Sequence, residues 1–248
     1  MDDLPDTLFA NPVWNALQTS HRHFAVYAAE GGACRYPFDV APLAAVAEFT
    51  ADALHQLHSL LQPGESVWLA GDCDDRTRGQ AAEFLPELAF VETLDCLQMM
   101  LPQTIALPDS YSRSAHEILS LTRANAAEMV ALTDIGFPGF FRQRTCEMGS
   151  YYGLRSDAQS GGALIAMAGE RLMLDGYPEI SGVCTHPEHR GKGLAARLIW
   201  RLVQDHRRDG LVSWLHVGSN NHRAVELYLR MGFKKIREIT LQRVTRNR

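Results

Sequence analysis

Cysteine is sparse and scattered in this 248-residue sequence: Cys34, Cys73, Cys96, Cys146 and Cys184 stand far apart. None forms a CxxC pair or a His/Cys set at metal-ligand spacing. That argues against a zinc ribbon and against a disulfide-stapled scaffold, and it predicts buried free thiols in a reducing cytoplasm with no structural metal. Basic charge is also not in excess. Lys and Arg number 24 against 29 Asp and Glu, a formal net charge of -5, so no global field favours nucleic acid or an anionic membrane as partner. The basic run at the end (Lys234, Lys235, Arg237, Arg243, Arg246, Arg248) reads as a solvated strand face and tail. No apolar run is long enough to cross a bilayer. The opening stretch MDDLPDTLFANPVW is acidic and Pro-bearing, unlike a secretory leader. What remains is an ordinary globular composition, sized for one large or two small domains.

Short apolar runs alternate with helical periodicities along the chain. Strands are predicted at 23–29, 66–71, 91–101, 116–122, 150–156, 162–174, 179–186, 211–217 and 233–244. Helices are predicted at 42–61, 78–88, 123–136, 191–210 and 221–232. The Pro- and Ser-bearing stretch 102–115 reads as a linker, dividing an N-terminal α/β domain (1–110) from a second domain (111–248). Strands followed by helices in both halves give an α+β or α/β class. The halves share a weak shape repeat, WLAG…AAEFLPELAFVETLDCLQMML against WLHV…AVELYLRMGFKKIREITLQRV.

The stretch HRGKGLA, residues 189–195, follows a predicted strand and opens a predicted helix. The first turn of a helix leaves backbone N–H groups unpaired at the positive end of its dipole, a natural seat for phosphate. Glycines let the main chain approach an anion closely, and Arg190 and Lys192 add formal charge. It is not a P-loop, since Gly193 follows Lys192. Nor is it a full dinucleotide fingerprint, since the acidic residue expected about 20 positions on falls in a helix tail.

Arg190-x-x-Gly193-x-Ala195 matches the first signature of the GCN5-related N-acetyltransferase (GNAT) superfamily. Asn221, Ala224, Leu227, Tyr228, Gly232 and Phe233 match its second, in the right order and at the right separation. The wording is closest to the FR47-like branch, and the resemblance covers roughly residues 112–248. It implies a GNAT fold, a mixed and mostly antiparallel sheet flanked by helices, with the N-terminal domain read as a degenerate GNAT-like copy. It implies acetyl-CoA as cosubstrate and a primary amine of a small molecule, amino acid or peptide as acceptor, in a monomer or homodimer. A longer acyl-CoA, or a CoA-binding regulator without turnover, are the alternatives.

Carried over by position, the resemblance gives Val183, Cys184 and Thr185 to the acetyl and pantetheine contacts. It gives Arg190, Gly191, Lys192, Gly193, Leu194 and Ala195 to the pyrophosphate. The strand before the loop would splay from its neighbour at 211–217, and the amide near Val183 would stabilise the oxyanion. Tyr228 matches the acid that protonates the departing thiolate, and Asn221 a pantetheine contact that doubles as a helix cap. Glu179, eleven residues before Arg190, is the candidate base, with His216 a second candidate or a pocket wall. Glu179, Ser181, Val183 and Thr185 share one strand face until a bulge intervenes. The aromatic-rich segment 137–153 supplies an acceptor pocket from Phe140, Phe141 and Tyr152, with Arg144 as a carboxylate clamp. Cys146 and Cys184 lack the partners of a nucleophilic thiol.

Overall fold

The computed structural model describes residues 6–71, 85–112, 117–156 and 162–248. The chain divides into two compact units. One comprises Met1–Phe38, Pro42–Leu97 and Glu238–Arg248; the other comprises Asp39–Ala41 and Gln98–Arg237. The division falls inside two long strands, Leu88–Met100 and Lys234–Arg246.

In the first unit the strand order is β1 (Val26–Tyr27), β2 (Ala33–Arg35), β3 (Leu43–Val46), β4 (Ser66–Ala70), then β11 (Lys234–Arg246) and β5 (Leu88–Met100). The run 42–61, expected as one helix, is instead strand Leu43–Val46 followed by helix Ala51–Leu60. Its first four residues are apolar on every side and all buried, as in a strand covered on both faces, a pattern that periodicity alone does not separate from a buried helix. Thr50 then starts the helix, its hydroxyl accepting from Ala53 N at 3.2 Å. Leu54 and Leu57 pack with Val46, Val67, Leu69 and Val244 in one apolar cluster. Most of the helix expected at 78–88 lies outside the described residues.

The second unit holds β6 (Leu119–Leu121), β7 (Tyr151–Arg155), β8 (Leu164–Leu174), β9 (Tyr177–Thr185) and β10 (Trp214–Gly218). Strands β6 to β9 run antiparallel in sequence order, and β10 lies parallel to β9. Helix Leu194–Arg208 connects β9 to β10, as a parallel pair requires. It buries Leu194, Leu198, Ile199, Leu202 and Val203 on one stripe. Helix Ala126–Asp134 packs an apolar face with Met129 and Leu132 into a cluster with Phe141, Tyr151, Met167 and Cys184. Within the stretch expected as a linker, Ile105 O accepts from Arg207 and Ile105 N donates to Pro102 O at 3.0 Å. Each unit contains antiparallel strands leading into a parallel pair joined by a helix: β3 and β4 in the first, β9 and β10 in the second.

Two irregularities shape β9. The ladder matches Gly169 with Ser181 and Met167 with Cys184, so two steps on β8 span three on β9. This is a bulge, and Gly182 occupies it at φ +62°. On its other edge β9 has register partners on β10 at Glu179 and Ile180. From Ser181 to Thr185 that edge has no register partner among the described residues.

Candidate active site

A cleft of about 490 Å³ opens where β9 runs into helix Leu194–Arg208. Val183, Cys184 and Thr185 form its strand wall. Arg190, Gly191, Gly193, Leu194 and Ala195 form its loop wall. Asn221 and Tyr228 reach it from helix His222–Arg230. The structure therefore brings ten sequence-predicted residues to one cavity. Lys192, on the exposed part of the loop, is not among its lining residues.

The loop conformation follows from its glycines. Gly191 and Gly193 sit at φ +79° and +75°, left-handed conformations that L side chains rarely adopt. Gly193 is the N-cap of the helix, and the first intrahelical bond runs from Arg197 N to Gly193 O at 3.1 Å. The amides of Leu194, Ala195 and Ala196 thus precede the first helical hydrogen bond, and all three residues line the cleft. A Cβ built on Gly191 or Gly193 meets no atom within 4 Å. The loop is an open cradle of main-chain donors. Arg190 is held beside it by its Nε donating to Thr185 O at 3.1 Å.

Helix His222–Arg230 closes the opposite side. Asn221 caps it, its Oδ1 accepting from Ala224 N at 3.2 Å. Tyr228 is buried against Phe233, ring centroids 5.7 Å apart. Burial pushes its phenol pKa well up, and the Glu179 carboxylate adds to that shift. The hydroxyl is therefore kept protonated, as a proton donor must be. Cys184 also lines the cleft, but burial raises its thiol and Sγ donates to Leu132 O at 3.3 Å. It is a neutral thiol, not a poised nucleophile.

Six other predicted residues lie elsewhere. Glu179 is fully buried and is not a lining residue. Arg171 grips its carboxylate at 2.6 and 3.0 Å, Leu172 N donates to it at 3.2 Å, and His216 Nδ1 lies 2.7 Å away. Burial alone would raise this carboxyl, but Arg171 and His216 overcome it and hold it at about 2. The second nitrogen of His216 faces Gln98 Nε2 at 3.1 Å. Arg144 bonds Glu147 at 2.8 Å and Asp39 at 3.4 Å. Tyr152 donates to Asp205 at 2.7 Å under the Arg201 guanidinium, on the face covered by helix Leu194–Arg208. Phe141 is buried in the apolar cluster, and Phe140, half-buried in the same loop, does not line the cleft.

Several lining residues carry no predicted site role: Gly136, Phe137 at the start of the aromatic-rich segment, His189, Arg223 and Arg230, and Leu227, which entered only as a position of the second signature. Helical spacing could have found some of them. Once Tyr228 is placed in a cleft, Ala224 follows one turn away, and Arg223, Leu227 and Arg230 recur at intervals of four and three. Arg190, Arg223 and Arg230 give the cleft cationic walls, which suit an anion with several phosphates. Among the described residues, His186, Glu188 and His189 are the group whose ligand atoms, all within 4.8 Å of one another, could also hold a cation.

Residues 118–233 match the acetyltransferase (GNAT) family. A solved GNAT-family protein from Novosphingobium aromaticivorans is 31% identical with a TM-score of 0.79, over 96% of this chain and 98% of its own. The N-alpha-acetyltransferase RimI of Mycobacterium tuberculosis is 31% identical over 127 residues, 47% of this chain and 77% of that protein. Mycothiol acetyltransferase of Pseudarthrobacter chlorophenolicus is 40% identical over 72 residues, a match spanning 27% of this chain and 21% of that protein.

Proposed function

Because this chain belongs to the acetyltransferase (GNAT) family, we propose that it transfers an acetyl group from acetyl-CoA to a primary amine, by direct attack with both substrates bound. One observation carries the reading: a cradle of uncommitted helix amides and a buried neutral phenol open into one cleft with cationic walls. The cleft fits a CoA thioester, which when bound would supply the activated carbonyl. The amides at Gly193 to Ala196, with Arg190, would hold the pyrophosphate. The β9 edge from Ser181 to Thr185, having no register partner on β10, would hydrogen-bond the amide-bearing arm as a neighbouring strand would. The main chain at Val183 and Thr185, with Asn221 on the last helix, would hold the arm and its carbonyl, since all three residues line the cleft.

Tyr228 is the acid that returns a proton to the departing thiolate. Glu179 and His216 act in this reading as positioning groups, since each is already bonded inside the sheet and neither lines the cleft. The Glu179 charge helps keep Tyr228 protonated. The acceptor is a small-molecule, amino-acid or peptide amine. No described helix is long and apolar enough to cross a membrane, which suits a reaction between dissolved partners.

Two measurements on the full chain test the proposal. Calorimetry with acetyl-CoA should give micromolar or tighter binding. Mass spectrometry of an amine panel incubated with acetyl-CoA should give products heavier by one acetyl group. Failure to bind acetyl-CoA refutes the reading; binding without transfer to any amine assigns the chain to CoA sensing instead.

A further inference from the structure

Tyr151, the neighbour of the residue expected to face the acceptor, lies on the opposite face of the sheet from Tyr152. Its backbone partner on β8 is Gly169, and a Cβ built there would fall 2.2 to 2.5 Å from the Tyr151 ring. The absent side chain lets the tyrosine lie flat across β8. The ring thereby reaches the bulge of β9, where a Cβ on Gly182 would meet Tyr151 Cε1 at 3.2 Å. Two glycines on adjacent strands thus seat one aromatic ring against Gly182, whose neighbour in sequence, Val183, lines the cleft. Phe141 covers it edge-on, ring centroids 5.5 Å apart.

The hydroxyl at the end of this ring has no hydrogen-bond partner among the described residues, although the residue is 2% exposed. A buried hydroxyl without a partner has lost its hydration with nothing in return, and such groups call for a functional explanation. Its electrostatic neighbours are the Glu179 and Glu170 carboxylates against one guanidinium, that of Arg171, with the Cys146 thiol also in range. Both carboxylates are already engaged, Glu179 by Arg171 and His216 and Glu170 by His206, which leaves the phenolic oxygen as an acceptor for an incoming N–H donor. Phe141 belongs to a stretch without helix or strand that includes Gly139 at φ +83°, and Phe137 of the same stretch lines the cleft. Displacing the Phe141 ring would uncover the Tyr151 ring on the side of this loop.

We propose that the Tyr151 hydroxyl is the docking group for the acceptor, its oxygen accepting a hydrogen bond from an aliphatic primary amine or ammonium that enters beneath Phe141. This rests on the acetyl-transfer reading above and names the acceptor side of the same site. The amine stands next to the bulge at Gly182, one residue from the cleft wall at Val183.

The test compares wild type with Tyr151→Phe. CoA-loaded protein is titrated by calorimetry with a panel of aliphatic diamines, amino-acid amides and short peptides with free N-termini, and melting temperatures are recorded. At least one amine should bind wild type, and Tyr151→Phe should weaken it tenfold or more. CoA affinity should be unchanged and the melting temperature equal or higher, because the variant removes an unsatisfied group. Equal amine affinity in the two proteins overturns the proposal, as does binding of no amine. A fall in melting temperature also overturns it, because the hydroxyl would then serve the fold. Failure of the acetyl-transfer reading shows separately, as absent CoA binding or as amine binding without acetylated product.

Discussion

Replacing Gly193 separates the two demands that the loop meets. The residue caps a helix at φ +75°, and a Cβ there would meet no protein atom within 4 Å. Gly193→Ala therefore adds backbone strain and no clash. A left-handed conformation costs an L residue roughly 1–2 kcal/mol. If the loop relaxes without ligand and is restored on binding, acetyl-CoA affinity falls by about 5- to 30-fold at roughly 1.4 kcal/mol per decade. Gly193→Glu carries the same strain and adds a carboxylate. Two unit charges about 5 Å apart repel by about 3 kcal/mol at an effective dielectric of roughly 20, a further loss of about two decades. Both variants should fold alike, since a Cβ at this position meets no protein atom within 4 Å. Calorimetry at fixed salt, paired with thermal melts, reads the two contributions. The glutamate variant should melt like the alanine variant and bind acetyl-CoA at least 100-fold more weakly than wild type. Affinity within threefold of wild type would mean that nothing anionic sits on the helix cap.

Tyr228→Phe keeps the ring against Phe233 and removes the proton. Turnover should fall by about 100-fold or more, the usual weight of a general acid, with acetyl-CoA affinity within twofold; unchanged turnover removes Tyr228 from the chemistry. Glu179 gives a pH signature. Its folded carboxyl is held at about 2, below its unfolded value of about 4.3, so its stabilisation is complete above pH 5 and is lost as pH falls towards 2. Urea midpoints should drop steeply across that window. Glu179→Gln should flatten the drop while lowering stability at neutral pH by about 3–5 kcal/mol, since Arg171 is left without its counter-charge. Equal slopes in the two proteins would refute the depressed carboxyl.

Most elements of the second unit were legible because their patterns are long: the helix at 194–208 carries a clear apolar stripe and the strands from 150 to 186 follow one another with polar turns. The cradle was legible because glycines must stand where the main chain turns left-handed. The placement of the two neighbouring tyrosines was not. In Tyr151-Tyr152 both residues suit a strand, and nothing local says which faces which layer. Tyr152 meets the helix with Asp205 and Arg201, and Tyr151 meets the bulge. The bulge also resets parity on β9: Cys184, not Val183, continues the face of Glu179 and Ser181. Glu179 shares a face with Val183 and Thr185 only until a bulge intervenes, and the bulge at Gly182 comes before either is reached. The split of 42–61 into strand and helix has a simpler cause, a short apolar run that either element can bury.

The fork between β9 and β10 accounts for the buried ionic network. Strands that part must be held together firmly where they still touch, or the pairing would slide. Glu179 occupies that root, matched with Trp214 in the last stretch of parallel register. Arg171 reaches its carboxylate from β8 and His216 reaches it from β10. One carboxylate thus ties three strands at the point from which two of them diverge. An apolar residue there would pack as well, and buried ion pairs often add little net stability. What they add is direction: a guanidinium fork and an imidazole each fix one geometry. A fork set in one geometry keeps the main-chain edge beyond it open, which matters more for a cleft that must receive an extended ligand than a further kilocalorie of stability.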